Sequence, residues 1–181
     1  MGYSIMRSRC IKTLSCFAIL SVAFVMLSCA TSQHSASYWN KMGLKHKEAG
    51  RYADAEVAFK QAAEIDPQNS EAYNNLGRVY FAMKRYDDAV RYFKKSLEIK
   101  PNAMGTLNNL AESYVRLGMT DEAVSVFRQA IEINPKDPQT RFGLGVVYLM
   151  TGDRESALEQ YRALRGIDRE RAKQLFDLIL K

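Results

Sequence analysis

The chain has 181 residues, 47% of them hydrophobic and 25% charged, and a formal net charge of +6; that length suffices for one modest core and not for two ordinary domains. Arg7, Arg9 and Lys12 stand in a stretch without acidic residues, so beyond residue 28 the balance is 23 basic against 20 acidic side chains, and half of the basicity belongs to the N-terminus. Lys84, Arg85, Arg91, Lys94 and Lys95 are interspersed with Asp87 and Asp88, which argues against the concentrated basic stripe of a nucleic-acid binder, and Cys10, Cys16 and Cys29 all lie in the leading segment, so no disulfide framework staples the body.

Residues 1–12 carry positive charge, residues 13–27 form a mostly apolar run (TLSCFAILSVAFVML), and lysine or arginine does not return until Lys41. A positive head followed by an apolar stretch of about 7 to 15 residues is the layout of a secretory signal, and it is short for a membrane-spanning helix of about 20. Residues 1–28 are therefore set apart as a signal peptide and 29–35 as a short tether. Met26-Leu27-Ser28-Cys29 resembles the bacterial lipoprotein signal, in which a small residue precedes a cysteine that is lipidated and becomes the mature N-terminus. The small Ser28 fits; Met26 and Leu27 depart from the usual leucine and small residue. The resemblance implies acylation of Cys29, against the alternatives of an unprocessed anchor helix or cleavage near Ala30. Several acyl chains would hold the protein on a membrane, each buried methylene contributing about 0.8 kcal/mol. By the same resemblance, Ala30 in place of Asp after the cysteine implies the outer membrane of a Gram-negative cell, with the protein facing the periplasm.

From residue 36 the chain repeats itself at a shift of 34, in units 36–69, 70–103, 104–137 and 138–171. Position 4 reads Trp39, Tyr73, Leu107, Arg141; position 7 reads Met42, Leu76, Leu110, Leu144; position 8 reads Gly43, Gly77, Ala111, Gly145; position 11 reads His46, Tyr80, Tyr114, Tyr148. Steps of 3, 1 and 3 place these side chains on one face of a helix. The second half of each unit repeats Ala55, Ala89, Ala123, Ala157 at position 20 and Phe59, Phe93, Phe127, Tyr161 at position 24, a second helical stripe. Gly50, Gly118 and Gly152 fall at the turn between the two helices, where a left-handed residue is cheap for glycine. Pro67, Pro101 and Pro135 close the second helix, and Asp137 before Pro138 reads as a cap followed by proline at the first helical position. After Gly166, Ala172, Leu175, Phe176, Ile179 and Leu180 trace a closing helix that covers the fourth unit, its C-terminal part being 172–181.

This period and its small-to-large pattern identify residues 36–171 as resembling the tetratricopeptide (TPR) repeat. The expected fold is all-α, an α-α superhelix (TPR solenoid) of four helical hairpins with a C-terminal capping helix. In that family the first helices of successive units line a concave face, which places Asn40, Asn74, Asn108 and Phe142 at position 5, Asn75 and Asn109 at position 6, and Arg78 and Glu112 at position 9 as candidate peptide-binding groove residues. An amide ladder that clamps an extended partner is one reading; Asn75 or Asn109 bonding to a neighbouring turn is the other. Phe142, Val146 and Leu149 form an apolar strip that either receives a partner or meets the closing helix. The carboxylate-clamp subtype is set aside, because its positions hold Asn40, Leu44, Asn75, Gly105 and Asn109, of which only Asn75 matches.

No chemistry is expected. His46 replaces the stripe tyrosine and reads as a structural residue, His34 and Ser37 lie in or beside the tether, and no histidine or cysteine spacing suits a metal. No cofactor or metal is called for. The partner class is protein or an extended peptide, with a membrane reached through the N-terminal lipid and the oligomeric state open. The resemblance extends to the TPR lipoproteins that assist type IV pilus secretins, which implies an envelope adaptor; a regulator of a peptidoglycan enzyme and a self-associating structural protein are the alternatives.

Overall fold

The structure, a computed structural model, describes residues 35–181; the leader and Cys29 lie outside the described residues. Nine α-helices follow one another there: α1 (Ala36–Glu48), α2 (Tyr52–Ile65), α3 (Ser70–Ala82), α4 (Tyr86–Ile99), α5 (Met104–Leu117), α6 (Thr120–Ile133), α7 (Pro138–Met150), α8 (Arg154–Arg165) and α9 (Arg169–Ile179). They pack as the hairpins α1·α2, α3·α4, α5·α6 and α7·α8, each set against the next, and α9 closes the stack on α7 and α8. The all-α superhelical fold expected from the period is the fold observed. No helix among the described residues is long and apolar enough to cross a membrane.

Each hairpin turns by the same device. The N–H of Gly50 donates to Lys47 O (3.0 Å) and that of Arg51 to His46 O (2.9 Å), which satisfies the last carbonyls of α1 and sends the chain back as α2. The device recurs at residues 84, 118 and 152, with φ of +71° at Gly50, +74° at Gly118 and +82° at Gly152. The second hairpin has Lys84 there, a side chain held at φ +60°. Other ends behave as their residues dictate: Asp137 Oδ2 accepts from Thr140 N (2.8 Å) with Pro138 following, and Asp168 Oδ1 accepts from Arg171 N (3.0 Å) at the start of α9.

The core is an interlock of rings with small residues. A Cβ on Gly43 would lie 2.6 Å from the Phe59 ring, and one on Gly77 would lie 2.5 Å from that of Phe93, so both rings occupy the space a side chain would need. Phe59 and Phe93 are fully buried. Position 8 of the third hairpin is Ala111, whose methyl fills that space. Phe127 instead lies over Gly143 of the next first helix, 2.6 Å from where its Cβ would be. Gly145 receives Leu175 of α9, and Tyr161, relieved of that place, stacks on Phe176 of α9 at 4.9 Å.

Between hairpins a tyrosine at the end of one first helix meets the preceding second helix. Tyr80 Oη donates to Glu56 Oε1 (2.7 Å), which Lys60 also bonds (2.7 Å); burial pushes the Tyr80 phenol up to about 12, and this hydrogen bond acts in the same direction. Lys94 lies over the Tyr114 ring (5.7 Å), and Arg128 Nη2 donates to Tyr148 Oη (2.9 Å). His46 is half-buried with Nδ1 3.8 Å from Asp54 Oδ2, in keeping with a structural role. Arg141 keeps its place in the stripe by bonding Pro135 O (2.6 Å) and Gln160 Oε1 (3.0 Å).

Lys84→Gly should stabilise the protein. A left-handed L-residue costs about 1 to 2 kcal/mol and the added chain freedom of glycine offsets part of the gain, so a net gain of roughly 1 kcal/mol and a higher Tm in thermal denaturation are expected; a Tm that does not rise contradicts the strain.

Candidate functional site

The asparagines of the first helices are largely spent inside the solenoid. Asn108 is buried; its Oδ1 accepts from Thr140 Oγ1 (2.8 Å) and its Nδ2 donates to Asp137 Oδ2 (3.4 Å). Asn74 Oδ1 accepts from Thr106 Oγ1 (3.2 Å) and Asn109 Nδ2 (3.4 Å). Thr106 and Thr140 both stand at position 3 of the following unit, so each of these asparagines ties its first helix to the start of the next. Asn40 holds position 5 one unit earlier, and Ala72 stands where its threonine would be, while Asn75 holds position 6 one unit before Asn109. Both Asn40 and Asn75 are buried, with Asn40 Oδ1 and Asn75 Nδ2 lacking a hydrogen-bond partner.

In this geometry most of the amides turn toward the solenoid interior. Asn40, Asn75 and Asn108 are 7%, 2% and 7% exposed and cannot clamp a passing peptide backbone without rearrangement. Asn74 and Asn109 are half-buried and bonded to each other. Arg78 and Glu112 are exposed as a groove residue requires.

What the same face does offer is a cavity. It measures about 640 Å³ and is walled mainly by Val115, Phe127, Phe142, Val146, Val147 and Met150, with Asn108, Glu112, Arg116 and Gln139 among its other residues. One unit earlier the matching space, among Arg78, Phe81, Phe93, Asn109 and Glu112, is only about 130 Å³. The repeat explains the difference residue by residue: Arg78 is replaced by Glu112, Phe81 by Val115, Asn109 by Gly143 and Glu112 by Val146, while Phe93 and Phe127 correspond. Four side chains shrink, and a hole opens over Phe127. The cavity therefore exists because Ala111 denies Phe127 its usual seat and Gly143 supplies another.

Phe142 and Val146 line this cavity, so the apolar strip faces the groove there, and α9 is met instead through Gly145. Glu112 lines both cavities and joins them, and Arg116 Nη2 lies 3.4 Å from Glu112 Oε1. Gly143, Phe127 and Met150 are groove residues that the repeat reading missed; the signal was present, as the break of the position 6 asparagine series at Gly143 and of the position 8 glycine series at Ala111. Among the described residues no group of three or more His, Cys, Asp or Glu side chains could hold a metal ion.

Comparison with known proteins agrees with this architecture. The family model described as the cilia and flagella-associated protein 70 C-terminal domain, a TPR model, matches residues 20–175. No curated protein matches the chain. A thermophilic TPR protein of Thermus thermophilus superposes with a TM-score of 0.66 at 24% identity, over 81% of this chain and 82% of that one. MamA superposes with a TM-score of 0.73 at 20% identity, over 82% of this chain and 86% of that one. A chain of the APC/C hetero-tetramer Cut9-Hcn1 gives 0.72 at 19% identity, over 82% of this chain and 30% of that longer one.

Ala72→Ser places a hydroxyl at position 3 beside the partnerless Asn40 Oδ1. It should raise the urea midpoint by the worth of one hydrogen bond, about 0.5 to 1.5 kcal/mol, and the gain should vanish in an Asn40→Ala background. An equal gain in both backgrounds would show that the serine acts elsewhere.

Proposed function

The chain belongs to the cilia and flagella-associated protein 70 C-terminal domain family of TPR proteins, and from that premise we propose that it is a non-catalytic protein-binding scaffold whose working surface is the groove between α5 and α7. The observation that carries this reading is the cavity of about 640 Å³ walled by Val115, Phe127, Phe142 and Val146. A buried apolar side chain contributes about 1.5 to 3 kcal/mol on leaving water. The groove thus suits a partner segment that anchors one or two bulky apolar side chains there, and the rim charges of Glu112 and Arg116 set its polar edge. The backbone of that segment meets Arg78 and Gln139 rather than a row of amides.

The finer placement rests on the leading segment. The positive head, the apolar run and Ser28-Cys29 support a lipoprotein anchored through Cys29 and facing the periplasm from the outer membrane, where the solenoid serves assembly of an envelope complex such as a pilus or secretion system. Mass spectrometry of the protein purified from its own cells should find an acylated Cys29 as the mature N-terminus; an unmodified Cys29 removes the anchor. Self-association is the second reading, favoured by exposed Leu178 and Leu180 at the closing edge.

A photo-reactive residue at position 146 should capture one partner in intact cells, and one at the exposed position 57 should not. Val115→Phe, which restores the ring that Phe81 supplies one unit earlier, should abolish the capture with the fold retained by circular dichroism. Equal capture from both positions, or capture indifferent to Val115→Phe, would sink the groove, whereas capture of a second copy would favour self-association.

A further inference from the structure

Another cavity, of about 380 Å³, lies at the closing end between α8 and α9 and is lined by Tyr161, Arg165, Arg169, Ala172, Lys173 and Phe176. Three of its six residues are cations and none is acidic. Arg165 comes from the last turn of α8, and Arg169 and Lys173 stand one turn apart on α9. Some cations of the solenoid are ion-paired: Arg85 and Arg91 share Asp88, Lys60 holds Glu56, Arg116 meets Glu112, and Arg171 bonds Asp168 at 2.6 Å, whereas others, such as Arg154 and Arg162, stand singly on the surface. Among the described residues Arg165, Arg169 and Lys173 have no ion pair and no side-chain hydrogen bond. Of the two acids that flank Arg169 in sequence, Asp168 is held by the side chain and backbone N–H of Arg171, and Glu170 is exposed and makes no ion pair with the three cations.

Three like charges gathered on one cavity repel one another, and the repulsion falls when an anion enters. The guanidinium forks of two arginines offer several N–H donors to a planar or tetrahedral oxyanion, and the lysine adds a point charge. A single carboxylate would leave two of the charges uncompensated. A phosphoryl group carries nearly two negative charges and three acceptor oxygens, which fits the count better. The stacked rings of Tyr161 and Phe176 form an apolar wall beside it, against which the carbon part of a phosphate ester can rest.

We propose that this cavity binds a phosphoryl oxyanion, held by Arg165, Arg169 and Lys173. It is independent of the groove between α5 and α7 and of any partner bound there. Two sources share this chemistry, a free phosphate compound and a phospholipid headgroup, and two probes separate them. Titration calorimetry of the full chain with inorganic pyrophosphate and with sn-glycerol 3-phosphate should give saturable one-to-one binding of at least one, with pyrophosphate tighter for the first source and glycerol phosphate tighter for the second.

Arg169→Gln combined with Lys173→Gln should weaken it about tenfold or more, as expected for lost charge-assisted hydrogen bonds, while Arg154→Gln, a cation outside the cavity, should leave it unchanged. The Ala172 methyl resonance should shift on titration, which locates the ligand. Absence of saturation with both probes, binding that survives the double substitution, an unmoved Ala172 resonance, or a glutamate-rich peptide that outcompetes both phosphates would overturn the assignment.

Discussion

A benzyl ring laid over a residue without a side chain sets the distance between the two helices of a hairpin, and the arrangement of this solenoid follows from where that is possible. Phe59 over Gly43 and Phe93 over Gly77 bring the helices together, at places where any Cβ would intrude on the ring. Close packing leaves no slack for a methyl group. When Ala111 supplies one, Phe127 moves to the nearest glycine, Gly143, which belongs to the next hairpin. The interlock thereby becomes a contact between neighbours, and the concave face opens above it. At the end of the stack Leu175 of α9 seals Gly145, which frees Tyr161 to pair with Phe176.

Polar contacts then fix the stagger of successive hairpins. Asn74 with Thr106, Asn108 with Thr140, and the tyrosines at 80, 114 and 148 each join one hairpin to the next. A buried amide without a partner is expensive, so these ties specify one orientation more sharply than apolar contact alone. Function occupies what the packing leaves over: a cavity where four repeat positions shrink, and another lined by three cations. In a repeat architecture each hairpin is supported by its neighbours, which lets a single hairpin depart from the pattern without loss of the fold.

The legible parts of the sequence were those governed by short-range geometry. The 34-residue shift, the stripes and the three turn glycines all concern atoms within one or two helical turns, so the all-α superhelix and the closing helix could be read directly. Lys84 illustrates the limit of that logic, since the turn of the second hairpin takes the same left-handed conformation on a residue that disfavours it; packing on both sides dictates the turn. The amide ladder illustrates it further. Asparagines at positions 5 and 6 were visible, but whether an amide faces a groove or a neighbouring hydroxyl depends on position 3 of the following unit, and Ala72, Thr106 and Thr140 differ there.

By itself, then, the amino-acid order determined the period, the helical hairpins and their capped ends, because these depend on backbone preferences and on spacing along the chain. Only the tertiary structure decided that Phe127 turns toward Gly143, that Asn40, Asn75 and Asn108 are buried, and that Arg165, Arg169 and Lys173 border one cavity. These outcomes turn on separations of a few ångströms between residues far apart in sequence, where one methyl group more or less redirects a ring and no local rule applies.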